Sequence, residues 1–358
     1  MKQMTKHGTK QLPLVSVVIP SYNGADTLRE TIDSVLSQSY SRLEILVVND
    51  GSTDNTKEVL AAYKNRITCL DKQNGGLASA RNFGMKHAKG DYIVWLDADD
   101  IMEVDKITIQ LHVMENNSDV VLTCTDFSAF NKTHIFDQSH IKQYYSSITR
   151  EKDGFDGIYN KKNIISFQKI EKLKNKNIED ITVYYGDIYN SLIWGNVVHP
   201  PTVMFRRSAS EQLNGLDSNL GEGTDYEYFI RFSRLGKIGY INWPLLRYRY
   251  SEKQMSADVN LGSISASTSR VLEKIAKENP SYIEEHKYRF TNRLSRAYIS
   301  AARHNAGKHR KQSLKFLWKA INLGYYKSDI AVITVMALMP KSLLSLLRRI
   351  RMMMKRNT

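Results

Sequence analysis

Tyr92-Ile93-Val94-Trp95-Leu96-Asp97-Ala98-Asp99-Asp100 runs an apolar strand straight into three carboxylates within four positions. Like charges gathered at a strand end destabilise the chain unless a cation or ligand groups answer them. The usual answer is a hard divalent metal, held by one or two carboxylates and completed by water and substrate phosphates. The alternative is a strand end followed by an Asp N-cap for a helix starting near Met102, which needs only one of the three.

Upstream, strand and helix patterns alternate. Val15 to Ile19 is a short apolar run stopping at Pro20, and Glu44 to Val48 and Ile67 to Leu70 are two more. Between them lies a helical face of Leu28, Ile32, Val35 and Leu36, opened by Thr27-x-x-Glu30, a capping-box pattern, with Asn23 as an alternative cap. A second helix starts after Asp50-Gly51-Ser52-Thr53-Asp54, and a third runs from Leu77 towards Gly90. Downstream, Val120 to Cys124 is a further strand. This alternation predicts an α/β fold around a mostly parallel sheet. Ligands of such sheets bind beyond the carboxyl ends of the strands, where Pro20 to Asn23, Asn49-Asp50 and Asp97 to Asp100 all fall.

Residues 131–195 are polar and rich in Lys, Asn and Tyr, with one candidate helix near Ile164 to Leu173. His199 to Phe205 reads as strand-like again. From about 262 onwards the pattern is helical, with candidates near 263–277, 284–304 and 310–323. The expected division is 1–130 for a first α/β half that binds an anionic ligand, 131–260 for a second half completing the same domain and 261–358 for a helical C-terminal region with a basic amphipathic tail.

The 358 residues are 42% hydrophobic and 25% charged, the composition of a folded chain. A formal charge of +14 calls for an anionic partner. Part of that charge is concentrated in 341–356, with six basic residues and no acidic one, so a nucleic acid is not the expected partner. That segment is expected either to lie on an anionic membrane surface or to pack on the protein or a second subunit of a homo-oligomer. The first residues lack the apolar core of a signal peptide, and no apolar run approaches the ~20 residues of a membrane span. The expected setting is cytoplasmic, with peripheral contact at the inner face of the membrane. Cys69 and Cys124 both sit in apolar runs and are expected to be buried, reduced thiols.

Asp50, after Val47-Val48-Asn49, can accept a hydrogen bond from a uracil or thymine imide. It can equally form an Asx-turn or a helix cap. Taken in order, Val17-Val18-Ile19-Pro20-Ser21-Tyr22-Asn23, Leu46-Val47-Val48-Asn49-Asp50-Gly51-Ser52-Thr53-Asp54, Asn74-Gly75-Gly76-Leu77-Ala78-Ser79-Ala80-Arg81-Asn82 and Asp97-Ala98-Asp99-Asp100 resemble the nucleotide-binding half of family-2 glycosyltransferases. The resemblance is continuous from Leu14 to Asp100 and returns around 199–250. It implies a GT-A fold, a Rossmann-like nucleotide-binding mixed sheet flanked by helices, and inverting transfer from a nucleotide-diphosphate sugar with Mn²⁺ or Mg²⁺.

By that resemblance, Pro20, Ser21 and Asn23 line the nucleotide pocket, and Asp50 contacts the base. Arg81 lies near the base and diphosphate, Asp97 and Ala98 sit by the ribose, and Asp99 ligates the metal. Backbone N–H groups of Asn74 to Leu77, Gly75 among them, are expected to face the sugar nucleotide at a helix start. A sugar hydroxyl is a weak nucleophile, and a carboxylate base contributes ~10²–10⁴-fold. Asp225, in Gly221-Glu222-Gly223-Thr224-Asp225-Tyr226-Glu227, takes the family's base position, with Glu222 and Glu227 in reserve. The competing reading is a Thr224-x-x-Glu227 capping box. Trp194, His199 and Arg231 are further acceptor-site candidates. Tyr250 stands where many relatives carry His, which leaves Arg247 or Arg249 to neutralise charge. The acceptor is expected to be a glycan or a lipid-linked glycan, and a UDP-sugar is the expected donor. The rival readings are a sugar-nucleotide pyrophosphorylase, which wants a Gly-rich loop after the first strand, and a non-catalytic partner protein that binds nucleotide sugars or anionic lipid.

Overall fold

The computed structural model describes residues 12–131, 134–166, 170, 173, 180–221, 223–251, 261–306, 309–325 and 329–339. It divides into two compact units, one of residues 1–217 and 225–250, the other of 218–224 and 251–358.

The first unit is built on β1 (Val15–Ser21), α1 (Leu28–Leu36), β2 (Leu43–Asp50), α2 (Thr56–Ala61), β3 (Thr68–Lys72), α3 (Leu77–His87) and β4 (Tyr92–Trp95). A two-residue β5 (Ile101–Met102), α4 (Lys106–Glu115), β6 (Val120–Asn131) and β7 (His134–Asp137) follow. Short helices α5 (Ile141–Tyr144), α6 (Ser146–Arg150) and α7 (Phe155–Ile158) precede β8 (Lys161–Ile165), β9 (Ile181–Gly186) and α8 (Tyr189–Trp194). The unit closes with β10 (Met204–Arg206), α9 (Arg207–Ser210), α10 (Thr224–Phe232) and β11 (Lys237–Arg249).

Among the described residues the strands form one mixed sheet in the order β3-β2-β1-β4-β10-β6-β11-β9-β8, with β5 on β11 and β7 on β6. β3, β2, β1 and β4 are parallel, whereas β10 is antiparallel to both its neighbours. The parallel register brings Ser21 opposite Asn49 and Asp50 opposite Lys72, so the polar strand ends line up along one edge. β1 and β4 are buried along their whole lengths, as expected where helices cover both faces. α3 packs tightly on this layer because Gly84 has no side chain. A Cβ there would come within 2.4 Å of Val18 Cγ1. Trp95 is fully buried against Phe205 on β10 and Tyr228 and Phe229 on α10, with ring centroids 5.3–5.9 Å apart. It therefore ties the strand carrying the carboxylates to the helix carrying Asp225.

Several expectations from sequence are corrected. Ile164 and Ile165, expected to open a helix reaching Leu173, instead end the strand 161–165 on β9; this β-branched pair fits the ladder, and much of 166–179 lies outside the described residues. Pro200–Thr202 form a 3-10 turn, since two prolines cannot donate to a ladder, and the strand is confined to Met204–Arg206. Cys69 is exposed because β3 is the sheet's edge strand, whereas Cys124 is buried as expected; both are free thiols.

The second unit is helical, as expected: α11 (Leu261–Glu278), α12 (Pro280–Glu285), α13 (Lys287–Asn305), α14 (Arg310–Asn322) and α15 (Asp329–Leu338). The helix read as 284–304 is divided at His286, where α12 ends and α13 begins. Val271, Leu272, Ile275, Leu294, Ala301 and Leu317 are buried in this unit. Glu273 accepts from Tyr298 Oη at 2.6 Å and Lys319 Nζ at 2.7 Å. α15 buries Ile333 and Ala337 but exposes Val332, Val335 and Leu338 along one stripe. Among the described residues no helix is long and apolar enough to cross a membrane. The basic segment 341–356 lies outside the described residues.

Candidate active site

The carboxylate cluster sits in the loop between β4 and β5, and its backbone is held from two sides. Thr27 and Thr31 on the α1 side donate their hydroxyls to the Ala98 carbonyl at 2.8 and 3.0 Å, and Thr31 also reaches the Asp100 carbonyl. From β11, Arg249 Nε donates to the Asp99 carbonyl at 2.7 Å, and Arg249 N–H donates to Asp100 Oδ1 at 2.9 Å. Arg249 is itself braced by Glu30 and lies over the Phe130 ring. Thr27 and Glu30 therefore do not form the expected capping box; both serve the loop. Asn23 is no cap either. Its backbone is left-handed (φ 52°), and its Oδ1 accepts from Thr53 N–H.

Asp100 is not a helix cap. It is fully buried, and the residue that precedes α4 is Asp105. Burial, then the Asp99 and Asp97 charges, raises its carboxyl well above the usual range, and its Oδ2 has no hydrogen-bond partner. Asp99 is pushed up to about 6, first by burial and then by Asp97. Two carboxyls raised by crowding and desolvation are what a cation would relieve. Among the described residues no three His, Cys, Asp or Glu side chains converge as a closed metal cage. Hard oxygen donors in a small set fit Mg²⁺ or Mn²⁺ sharing its shell with phosphates.

Arg81, on α3, is 2% exposed. Its Nη2 donates to Asp97 Oδ1 at 2.7 Å, and its guanidinium lies 4.7 Å from the Trp95 ring centroid. Its Nε has no hydrogen-bond partner. At the end of β1, Ser21 is buried with an unpartnered hydroxyl, a group that a ligand atom would satisfy. Pro20 precedes it in the same strand.

Asp50 is engaged more fully than its sequence context suggests. Oδ1 accepts from Lys72 Nζ at 2.5 Å and Gly75 N–H at 3.0 Å, and Oδ2 accepts from Gly76 N–H at 2.8 Å. Asn74 Nδ2 donates to the Asp50 carbonyl at 2.9 Å. The Gly75 amide is thus directed at Asp50, not left open for a ligand. Gly51 permits this closure: its φ is +73°, and a Cβ there would meet Asn74 N at 2.8 Å. Lys72 had no place in the sequence reading. Its signal was positional, since it ends β3 where Asp50 ends β2.

Asp225 opens α10, and its Oδ1 accepts from Tyr226 N–H at 2.9 Å. Its carboxyl is raised by burial; Arg81 pulls it down and Asp97 pushes it up. Residues 81, 97 and 225 thus share one electrostatic neighbourhood. His199 belongs to the same region: its Nδ1 is 3.1 Å from Tyr145 Oη, and its ring stacks on Phe127. Burial, then the charges of His140 and Arg81, lowers its pKa to about 3, so it is a neutral imidazole with Nε2 unpartnered. Trp194 ends α8, which Tyr226 Oη anchors by donating to the Leu192 carbonyl at 2.5 Å.

Arg231 and Glu227 are not brought to the site as free groups. Glu227 takes Arg231 through two hydrogen bonds of 2.7 and 2.8 Å, and Arg231 also donates to the Leu213 and Gly215 carbonyls. This clamp fixes α10 on the 213–215 turn and engages both carboxylate oxygens of Glu227 with Arg231. Arg247 pairs with Glu103 at 3.1 Å, so of these two arginines it is Arg249 that holds the cluster's backbone. His140 approaches Tyr250 Oη with Nε2 at 2.9 Å and Asp137 with Nδ1 at 2.5 Å. Glu222 lies outside the described residues.

Residues 16–182 match the profile described as Glycosyl transferase family 2. An uncharacterised glycosyltransferase of Rickettsia prowazekii is 30% identical over 287 residues, 79% of each chain. Among solved structures, residues 1–349 of S. aureus TarS in complex with UDP-GlcNAc align with a TM-score of 0.54 at 14% identity, covering 90% of both chains. The mannosyltransferase PcManGT from Pyrobaculum calidifontis, in complex with GDP-Man and Mn²⁺, aligns with a TM-score of 0.50 at 17% identity, covering 92% of this chain and 85% of that one. The mixed α/β architecture is shared with these glycosyltransferases.

Proposed function

The chain belongs to glycosyl transferase family 2, and we propose that it is an inverting enzyme using a UDP-sugar, a divalent metal and the Asp225 carboxylate as general base. One observation carries the reading: the paired Arg81 and Asp97 act electrostatically on Asp225, which is distant from both in the chain. That arrangement supports a donor diphosphate site set beside the base that a single displacement needs.

Asp99, with Asp97 beside it, would hold Mn²⁺ or Mg²⁺, which when bound offsets the charge on the departing diphosphate. Pro20 and Ser21 at the end of β1 and Asp50 at the end of β2 receive the nucleoside. Arg81, itself buried, places positive charge next to Asp97. Asp225 removes the proton from the acceptor hydroxyl as it attacks the anomeric carbon, opposite the nucleotide. The raised Asp225 carboxyl makes it a stronger base than an exposed Asp. His199, neutral and stacked, and Trp194 belong to the acceptor side, where an aromatic face suits a sugar ring. The acceptor is a glycan or lipid-linked glycan hydroxyl.

A peripheral contact with the cytoplasmic membrane surface completes the proposal. The exposed Val332, Val335 and Leu338 stripe stands directly before the basic 341–356 segment. An anionic bilayer answers both features, taking apolar side chains and attracting each basic residue with about 1 kcal/mol.

The test is incubation with a panel of UDP-sugars and lipid-linked acceptors, following the anomeric proton of the product by NMR. The proposal predicts release of UDP and a product anomer opposite to that of the donor. Retention of configuration would remove Asp225 from the role of base in a single displacement.

A further inference from the structure

Resting on the donor-site reading above, the geometry points to Lys72 as the partner of Asp50 in selecting the nucleobase. The argument is a count of donors and acceptors at the ends of β2 and β3. Asp50 and Lys72 lie opposite each other in the parallel ladder. Both are largely buried, with side chains 3% and 15% exposed. An ionised carboxylate offers about four acceptor positions. Lys72 Nζ, Gly75 N–H and Gly76 N–H take three, two on Oδ1 and one on Oδ2. An ammonium offers three donors. Lys72 uses one on Asp50 Oδ1 and one on the Gln73 carbonyl at 2.6 Å. What remains is one acceptor on the carboxylate and one N–H on the neighbouring ammonium.

An acceptor beside a donor is the complement of an N–H beside a C=O. Uracil presents that edge with its N3–H and an adjacent carbonyl, and guanine presents it with N1–H and O6. Cytosine presents an unprotonated ring nitrogen beside an amino group, so the carboxylate would face a lone pair and the ammonium would face N–H donors. A site that hydrogen-bonds the right edge rejects the wrong one because its own buried polar groups are left unpaired. Lys72 is thus a specificity-determining residue: Asp50 accepts the imide proton, and Lys72 binds the carbonyl next to it. The amides of Gly75 and Gly76 hold the Asp50 carboxylate in place for this.

The test is calorimetric titration of UDP, GDP and CDP, each with Mn²⁺, into the native chain and into Lys72→Met and Lys72→Gln. The native chain is expected to bind UDP at least tenfold more tightly than CDP. Lys72→Met is expected to weaken UDP about tenfold or more while leaving CDP within about threefold, and Lys72→Gln, which keeps an N–H donor, to restore part of the UDP affinity. Matching unfolding midpoints would establish that the variants are folded. Equal UDP affinity in native and Lys72→Met protein would overturn the assignment of Lys72 while leaving the donor site standing. A native chain that binds none of the three nucleotides would overturn the donor-site reading and this inference with it. Preference for GDP over UDP, with the same Lys72 dependence, would support Lys72 and replace uridine as the donor's nucleoside.

Discussion

Replacing Asp225 with Asn separates the proposed chemistry from the binding site more cleanly than any other substitution. Asn keeps the shape of the side chain and an oxygen able to accept the Tyr226 N–H, so the start of α10 should hold. What disappears is the basic oxygen. A positioned general base contributes about 10²–10⁴-fold, which corresponds to about 3–5 kcal/mol of barrier. The transfer rate should fall by that factor, with UDP affinity changed less than about threefold, because the residues proposed to hold the nucleotide lie on β1, β2, β3 and α3. The pH profile adds a second readout. Burial raises the Asp225 carboxyl and the base works only when ionised, so native activity should rise with pH through that raised value. The Asn variant should lack this limb. The assay is UDP release at saturating acceptor from pH 5 to 9, alongside calorimetry for UDP. Asp225→Asn activity within tenfold of native, with the acidic limb intact, would refute the role of Asp225 as base.

Asp99 links stability and function with opposite signs. Its carboxyl is raised to about 6 in the folded chain, above its ordinary value, so the contribution of Asp99 to metal-free stability is fully present below about pH 4 and is lost as pH rises through 6. At about 1.4 kcal/mol per pH unit the loss approaches ~3 kcal/mol, so Asp99→Asn should raise the metal-free unfolding midpoint at pH 8 more than at pH 5, while abolishing Mn²⁺-dependent UDP binding. Arg249→Met keeps apolar bulk over Phe130 but removes the hydrogen bond to the Asp99 carbonyl. It should weaken Mn²⁺-dependent UDP binding about tenfold or more at about 1.5–3 kcal/mol for a charge-assisted bond, and unchanged titration curves would exclude it as a strut. Val332→Asp with Val335→Asp should abolish co-sedimentation with vesicles rich in anionic lipid and leave UDP binding unaltered. Co-sedimentation that persists would place the membrane contact elsewhere.

The β1–β4 half was largely legible because its signals are local: apolar runs set β1, β2 and β4, and the polar residues that end them share an edge by parallel register. Long-range side-chain pairs were not legible. Thr27 and Glu30 look like a capping box, yet they bind partners 71 and 219 residues away, and only the folded sheet brings those close. Glu227 and Arg231 show the converse. Their i, i+4 spacing could have flagged an ion pair, and the structure makes it a clamp. Asp100 was invisible as a buried carboxyl because nothing in a D-x-D-D pattern says which side chain turns inward. Ile164 and Ile165 were misread because two adjacent apolar residues carry no period to separate helix from strand.

The claim that the Asp97–Asp100 loop is a metal-assisted nucleotide-sugar site is tested most directly by thermal unfolding. The native chain is scanned against a panel of nucleotide sugars with Mn²⁺ and with chelator. The account predicts that UDP-sugars raise the midpoint with Mn²⁺, that chelator removes the shift, and that Asp99→Asn shows none. A shift of equal size in chelator, or no shift with any nucleotide sugar, would contradict it.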